Sequence, residues 1–577
     1  MNMIKNKEIF KFFKNTKPRL VMLWIMYILL GIISFITPIL TANLLAGLIY
    51  KDMYKVFAYA IYVALAFSLQ ELLLYITEFV WNGKVRPKLL YNVRHFVINN
   101  IFNLKMSVID NYGNEAIETK INEEPLEMAR VVNTTQKNII NVITKLGIVI
   151  YVVLTDWRIA VIYLIGMITV AYIDNRKHVS LKSRETKISN SSLNSSKYIS
   201  EVVEGINDIK SLNIEETISS NLSTKLNNVV NNIAEKELFE SGYTRLEKIV
   251  LYSTMAFIII MGICFLEEGT LTVVNLLVMY LYQNDIFSLM NEITTLRTTL
   301  NEYNEISNKI LKLEDNTKYE KEIFGKKELT DVKGKINFNS VIFGYDKTKP
   351  ILKNMNFEIK PGETVALVGS ENCGKSTIIK LLMRKYDLIN GSITIDDIPI
   401  YELTKKSLRT NISIVKQDSY IFNMSIKDNL LLVKPNATNK EIDEACKKVD
   451  IYDYIMSLPK KYNTIIGTDG VNLSGSQKQK IAIARALLKD SKILIFDEAT
   501  SMIDSHTQSE MHEAITKIYK DLTVIVISQR LSTIVDCDRI LVIDQGRVVA
   551  EGKHKNLITN CKIYKNMFKD VNKKIRL

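Results

Sequence analysis

With 577 residues the chain has room for at least two domains, and 47% hydrophobic residues with only five cysteines exclude a disordered protein and a disulfide-stapled secreted scaffold. The net charge of +13, from 75 basic and 62 acidic side chains, is spread along the chain without a nucleic-acid-binding module. It fits contact with the anionic headgroups of a lipid bilayer and no nucleic acid. The cysteines, at 264, 373, 446, 537 and 561, have no metal-ligand spacing and read as reduced thiols in a cytosolic context.

From the N-terminus, residues 19–50 hold an apolar stretch of about 30 residues with almost no charge, longer than the ~20 that cross a bilayer and too long for a signal-peptide core. Further apolar segments at 56–76, 139–155, 159–173, 249–266 and 271–290 bring the predicted transmembrane helices to six. The turns at 51–55, 156–158 and 267–270 are short, whereas 82–138 and 174–248 are long, polar and helical in pattern; the run 189–196 reads as a solvated helical face. An even number of spans returns both termini to one side. Lys5, Lys7, Lys11, Lys14 and Lys17, with the basic residues of the long segments, assign that side to the cytosol. Trp24, Trp81 and Trp157 fall near the predicted membrane boundaries, as anchoring aromatics do.

Two pairs of carboxylates lie seven residues apart, Glu71 with Glu78 and Asp285 with Glu292, so each pair shares a helical face. Glu78 and Glu292 are expected near the cytosolic ends, solvated. Glu71 and Asp285 fall deeper, where a carboxylate is costly unless it faces a wet cavity or a partner. With Gln70, Gln283 and Asn284 beside them, they predict either an acidic inward cavity suited to a cationic cargo or structural pairing between helices.

The charged stretch 304–333 marks a junction, which divides the chain into a membrane domain over 1–310, a linker over 311–333 and a second domain over 334–577. In the second domain, 363–368 (ETVALV) reads as a short apolar strand. It runs into Gly369-Ser370-Glu371-Asn372-Cys373-Gly374-Lys375-Ser376-Thr377, and a helix starts by about 378. A Gly-rich loop between strand and helix N-terminus turns backbone N–H groups and the helix dipole toward an anion. Lys375 then supplies a point charge to β- and γ-phosphates, and Ser376 a hydroxyl to Mg²⁺. Downstream lie the block Leu473-Ser474-Gly475-Ser476-Gln477 and the apolar run 493–496 (ILIF), a parallel strand buried on both faces. At its end Asp497 is placed to hold the Mg²⁺ shell and Glu498 to polarise an attacking water.

In this order and spacing, these motifs resemble the nucleotide-binding domain of ABC transporters over about 335–552, and the long polar segments between spans resemble the intracellular loops of ABC exporters, whose tips dock on that domain. The resemblance implies a helical membrane domain with six transmembrane helices followed by an α/β P-loop NTPase domain of ABC type, with ATP and Mg²⁺ as cofactors, in a multi-pass protein of the cell membrane. It implies that Gly369, Ser370, Asn372, Gly374, Lys375, Ser376 and Thr377 cradle phosphate, and that Tyr345 stacks on adenine. Gln417, in VKQDSYIF, matches the residue that senses Mg²⁺ and the water, and Asp504 the loop that crosses the dimer. Ser474, Gly475 and Gln477 match the signature that completes the ATP site of the other protomer, so a second ABC half-transporter, identical or different, is the implied partner.

Two positions depart from the family pattern. Gln529 stands where the family has a His; it can donate a hydrogen bond to γ-phosphate but cannot become a cation or shuttle a proton. Ser476 replaces the usual second Gly of the signature and adds a Cβ close to phosphate. Glu498 is retained, so the expectation is slowed hydrolysis in an ATP-driven exporter of a drug, peptide or lipid-like substrate. An importer on the exporter fold and a nucleotide-gated regulatory subunit are the alternatives.

Overall fold

The computed structural model describes residues 11–14, 16–467, 470–498, 522–528 and 530–568. The chain divides into two units, residues 1–102 with 113–318, and residues 103–112 with 319–577.

The first unit is built of helices: α1 (Lys17–Ile49), α2 (Met53–Val80), α3 (Arg86–Ile101), α5 (Asn114–Thr155), α6 (Trp157–Glu204), α7 (Ile206–Leu212), α8 (Glu215–Glu267) and α9 (Val273–Leu311); α4 (Met106–Tyr112) belongs to the second unit. The short predicted turns are fixed by N-caps. Asp52 accepts from the Lys55 N–H at 3.2 Å, Asp156 from the Arg158 N–H at 2.9 Å and Thr272 from the Asn275 N–H at 3.2 Å, each satisfying a donor that the helix start leaves over. The Arg158 guanidinium folds back on Asp156 at 2.9 Å and reaches Thr270 at 2.8 Å, tying two of these turns together.

Among the described residues, five helical runs are long and apolar enough to cross a membrane: Lys17–Ile49, Met53–Ile101, Ala116–Thr155, Trp157–Glu204 and Glu215–Glu267. The sixth expected span lies in α9, which falls outside that set because Gln283, Asn284 and Asp285 interrupt it in succession. Phe57, Ile61, Leu65 and Leu72 of α2 are all more than half exposed, an apolar face that acyl chains accept and water does not. Inside, Ile148, Tyr163, Ile258, Tyr282 and Phe287 close a core in which each tyrosine hydroxyl is satisfied, Tyr163 donating to the Met279 carbonyl at 2.8 Å and Tyr282 to that of Phe35. Helices approach closely where glycine allows it: a Cβ on Gly262 would lie 2.3 Å from Leu276 Cδ1.

In the second unit the strands are β1 (Ile336–Phe343), β2 (Leu352–Ile359), β3 (Thr364–Gly369), β4 (Asn390–Ile395), β5 (Ile398–Pro399), β6 (Ile412–Lys416), β7 (Met424–Ser425), β8 (Ile465–Ile466), β9 (Ile493–Asp497), β10 (Thr523–Ile527), β11 (Arg539–Asp544) and β12 (Arg547–Gly552). An antiparallel sheet runs β2-β1-β4-β5. A larger one runs β12-β11-β3-β10-β9-β6, parallel from β11 through β6 with β12 antiparallel at its edge. β10 is buried along its whole length and β9 over its first four residues, as their unbroken apolar sequences require of parallel strands covered on both faces.

The segment before β1 is clipped onto this unit. Lys105 N–H donates to the Glu320 carbonyl at 2.9 Å and Glu322 N–H to that of Asn103 at 2.8 Å. The Glu322 carboxylate accepts from Arg409 at 2.6 and 3.1 Å and pairs with Lys405 at 2.8 Å. Burial alone would raise this carboxyl, but these hydrogen bonds hold it below the ordinary glutamate value. α4 is held beside them: Lys105 pairs with Asp387 at 2.7 Å, Tyr112 donates to the Tyr319 hydroxyl at 2.7 Å, and Tyr386 donates to Asp110.

Candidate functional site

Strand β3 delivers its last residue, Gly369, into a loop that turns into a helix, α10 (Lys375–Leu382). The loop needs its glycines. A Cβ on Gly369 would meet the Ile543 carbonyl oxygen at 2.3 Å, and Gly374, at φ +107°, would meet Leu352 Cδ2 at 2.5 Å. Asn372 takes the left-handed region at φ 60°, which Asn tolerates better than most side chains. Lys375 is 7% exposed, and its ammonium folds back on its own loop, donating to the carbonyls of Gly369 at 2.8 Å and Ser370 at 2.7 Å, with Cys373 Sγ at 3.7 Å. A lysine has three donors, so the amine is oriented without saturating its strong hydrogen bonds.

This loop forms the floor of a cleft of about 640 Å³ lined by Tyr345, Asn372, Gly374, Lys375, Ser376, Thr377, Lys380 and Glu498. Asp497 and Glu498 arrive from β9, two strands from β3 with β10 between. Their position, at the C-terminal edge of parallel strands, is where open α/β sheets bind ligands. Glu498 takes φ 50° and its N–H donates to the Ile527 carbonyl at 2.9 Å. Burial pushes the Asp497 carboxyl above its ordinary value, and Glu498 adds to the shift against Lys416, Lys375 and Lys380. The register Lys416↔Asp497 brings the C-terminal end of β6 beside that of β9, and Gln417, exposed, follows directly. Ser376 lines the cleft, whereas Asp497 and Gln417 are not among its lining residues and stand beside it at the strand ends; a hydroxyl, a carboxylate and an amide are oxygen donors of the hardness that suits Mg²⁺.

Tyr345 is half exposed at one wall of the cleft. Its ring meets Phe343 and Tyr386 edge-on, with centroids 5.3 and 5.2 Å away, and its hydroxyl accepts from Lys380 at 2.9 Å. Burial and the hydrogen bond to Asp110 push the Tyr386 phenol above its ordinary value. This support, reaching from α4 to the Tyr345 ring, has no motif in the sequence. It depends on residues nearly 280 positions apart and emerges only from the fold.

Ser474 caps the helix Gly475–Leu488 in a reciprocal box. Its Oγ accepts from the Gln477 N–H at 3.2 Å, and Gln477 Oε1 accepts from the Ser474 N–H at 2.9 Å. Ser474 and Gly475 are exposed, and neither they nor Gln477 line the cleft of this chain's own loop. Ser476 occupies the first turn and is half-buried. The sequence reading missed Gln479, which is 2% exposed and donates to the Lys416 carbonyl at 3.2 Å, tying the helix to the residue before Gln417. Its only signal is an amide at a helix position otherwise suited to apolar packing. Asp504 and Gln529 lie outside the described residues.

Two family models match the chain, the ABC transporter transmembrane region over residues 20–290 and the ABC transporter model over 352–501. The chain belongs to the ABC transporter family. It is similar to a heavy metal tolerance protein of Schizosaccharomyces pombe, 46% identical over 231 residues, which make up 40% of this chain and 28% of that one. It is also similar to an ATP-dependent lipid A-core flippase of Saccharophagus degradans, 43% identical over 244 residues, 42% of each chain. The chain thus spans less than half the length of these curated relatives. In fold it matches a bacterial Atm1-family ABC exporter solved with ATP bound, at a TM-score of 0.79 and 24% identity over 96% of this chain and 98% of that one.

Within the first unit of this ABC transporter the expected acidic cavity is not what the helices build. A cavity of about 220 Å³ between α1, α2, α5 and α9 takes in Gln70 and Asp285, but its cations come from Lys137 and Lys145 of α5, and Glu71 is exposed elsewhere. Gln283 is buried and donates to the Leu251 carbonyl at 2.9 Å, while Asn284 is exposed. Glu292 is not simply solvated. It accepts from Lys145 at 3.0 Å with only 23% of its side chain exposed. Of the two expected alternatives, the acidic cavity does not form, while Gln283 and Glu292 do pair between helices; a helical period tells which residues share a face, not what the facing helix supplies.

Proposed function

We propose that this chain is one half of an ATP-driven exporter. ATP binds with its phosphates over the loop Gly369–Thr377 and its adenine on Tyr345, and Mg²⁺ is held by Ser376, Asp497 and Gln417. The observation that carries this reading is that Lys375 and Glu498, at the end of β9, line one cleft at the edge of a parallel sheet, while Ser474, Gly475 and Gln477 are not part of that cleft's lining. The positive end of the helix dipole favours an anion, so this helix start suits the γ-phosphate held by another protomer. A dimer with two shared sites follows, its partner a second copy or a different half-transporter.

Bound Mg²⁺ supplies charge neutralisation as the phosphoryl group moves. Glu498 takes the water's proton toward its carboxylate, Lys375 holds the ground-state phosphates, and Gln417 senses the metal and the water. Asp504 belongs to the loop crossing the dimer, and Gln529 contacts γ-phosphate without the charge a His would bring. ATP binding closes the dimer and turns the spans outward; hydrolysis resets them. Both termini and the ATPase unit are cytosolic, and the spans lie in the cell membrane.

Gln529 also favours a second reading, a nucleotide-gated regulatory subunit that binds ATP and pumps little. Basal ATPase and ATP-dependent uptake into inverted vesicles, measured with and without a partner half-transporter, distinguish the two. Nucleotide binding without hydrolysis in either preparation supports the regulatory role and rejects the exporter.

A further inference from the structure

We propose that the cavity between α1, α2, α5 and α9 is a cargo subsite for a zwitterion, a small molecule that carries an ammonium group together with a carboxylate or phosphate. This rests on the transport reading above and adds the chemical class of the cargo. Three charged side chains line the cavity: Lys137, Lys145 and Asp285. The charge of Lys145 is used within the protein, where its Nζ donates to Glu292 at 3.0 Å and to Ser288 at 2.9 Å. Of the other two, Asp285 lies within the field of Lys145 without pairing to it, and Lys137 stands apart. Among the described residues, neither the Lys137 ammonium nor the Asp285 carboxylate has a hydrogen bond or an ion pair.

An unpaired ion in or beside a membrane span is costly, and a ligand that carries only one sign would satisfy one of these groups and leave the other without a bonded partner. A zwitterion discharges both and leaves the complex neutral. Lys137 lies eight residues before Lys145 on α5, roughly 12 Å along the axis. Asp285 sits on α9 one turn before the Ser288 that holds Lys145. The two free charges therefore face the cavity at different heights, which favours a ligand whose opposite charges are several bonds apart. Gln70 and Asn141, which also line the cavity, can hydrogen-bond a neutral middle, and the Tyr27 ring, its hydroxyl given to Asn133 at 3.0 Å, offers an apolar surface beside them. A second cavity, of about 460 Å³, shares Tyr27 and Lys137 and is lined by both acids and bases, Glu78 and Glu127 with Arg86 and Arg130, so the approach selects for neither sign.

The test uses the full-length protein in nanodiscs of phosphatidylglycerol, without ATP, titrated calorimetrically with tri-alanine, its N-acetyl form and its C-terminal amide. Tri-alanine is expected to bind at least tenfold more tightly than either capped peptide. Lys137→Gln should remove the penalty on the amide, and Asp285→Asn the penalty on the acetylated form, with fluorescent-ATP binding as the check that each variant is folded. Equal affinity for all three peptides in the parent protein, or heat from none of them, overturns the proposal without reference to any variant. Phosphatidylethanolamine added to the disc separates the sources: competition with tri-alanine assigns the site to a lipid headgroup, and its absence to a soluble zwitterion. Selective binding without ATPase activity would reject the transport reading and keep the site; ATPase activity without selectivity would do the reverse.

Discussion

In the ATPase unit, the charge at the centre of the candidate site is anchored by backbone. Lys375 rests on two carbonyls of its own loop, and Glu498 is fixed by an N–H bonded to the neighbouring strand. In the membrane unit, charge is anchored by other side chains across helices, Lys145 by Glu292 and Ser288. The first arrangement survives substitution around it, because peptide groups are always present. The second depends on which residue each helix happens to present, so one substitution can change the sign of the cavity. A family can therefore keep one engine while its cargo varies.

The largest effect expected on this contrast is at Glu498. Glu498→Gln should lower ATP turnover by about 10²–10⁴-fold with binding unchanged, since the group acts only as the bond breaks. Lys375→Ala should instead weaken ATP binding by about 1.5–3 kcal/mol, the worth of hydrogen bonds to a charged group. Steady-state hydrolysis and nucleotide affinity measured on both variants check this, and undiminished ATPase in Glu498→Gln would remove its assigned role.

In the membrane unit, Lys145→Met strands Glu292 and should cost about 3 kcal/mol of stability. Adding Glu292→Met should recover most of it, because two apolar side chains replace a buried pair with little loss. Thermal unfolding in detergent reads both; a double variant as unstable as the single one would mean that packing, not charge, holds this contact.

The same contrast explains what the sequence made legible. Loop, acidic strand end and signature are short runs of adjacent residues, and their chemistry depends on local backbone that glycine positions and apolar strands dictate. The Ser474–Gln477 box could be placed at a helix start from four residues. The cavity could not be read this way. Asp285 was visible as a deep carboxylate, but its companions sit on α5, about 140 residues earlier, and Glu71 was grouped with it by depth alone. The segment 311–333 reads as a linker from its charge, whereas within it Glu322 and its neighbours pair with 103–105, 402–405 and 409. Charged residues read as solvent-facing until the fold supplies their counterions.

Glu322 tests that segment. Glu322→Gln should destabilise the ATPase unit by about 2 kcal/mol at neutral pH through loss of charge-assisted bonds to Arg409 and Lys405. Because the folded carboxyl titrates below its unfolded value, this stabilisation is complete above the ordinary glutamate range, near 4.3, and disappears as pH falls through the lower folded value. The difference in melting temperature between parent and variant should therefore be constant from neutral pH down to about pH 5 and close only in stronger acid. A gap that narrows between pH 7 and 5 would point to a different titrating group.

A smaller effect is expected from Gln529→His, which should raise single-turnover hydrolysis at this chain's own site roughly tenfold, since an imidazole orders Glu498 and γ-phosphate together and carries charge in the transition state. No increase with binding unchanged would make Gln529 a neutral substitution and remove it as an argument for a His-bearing partner.

The smallest effect concerns the support from α4, the place where the ATPase unit itself relies on a side chain supplied from the first half of the sequence. Tyr386 contributes two separable things: a hydroxyl bonded to Asp110 and a ring edge packed on Tyr345. Tyr386→Phe removes only the first, at a cost of about 1 kcal/mol of stability, and should leave ATP affinity within about twofold of the parent because the wall under Tyr345 is still filled. Asp110→Asn should behave alike, and the double variant should be no worse than either single one, as two ends of one bond require. Tyr386→Ala removes the wall and should weaken ATP binding several-fold. Fluorescent-ATP titration on the four proteins decides the point: a loss in Tyr386→Phe as large as that in Tyr386→Ala would mean that the bond to α4, rather than the ring, sets the position of Tyr345, and that this corner of the ATPase unit is anchored in the same side-chain-dependent way as the membrane cavity.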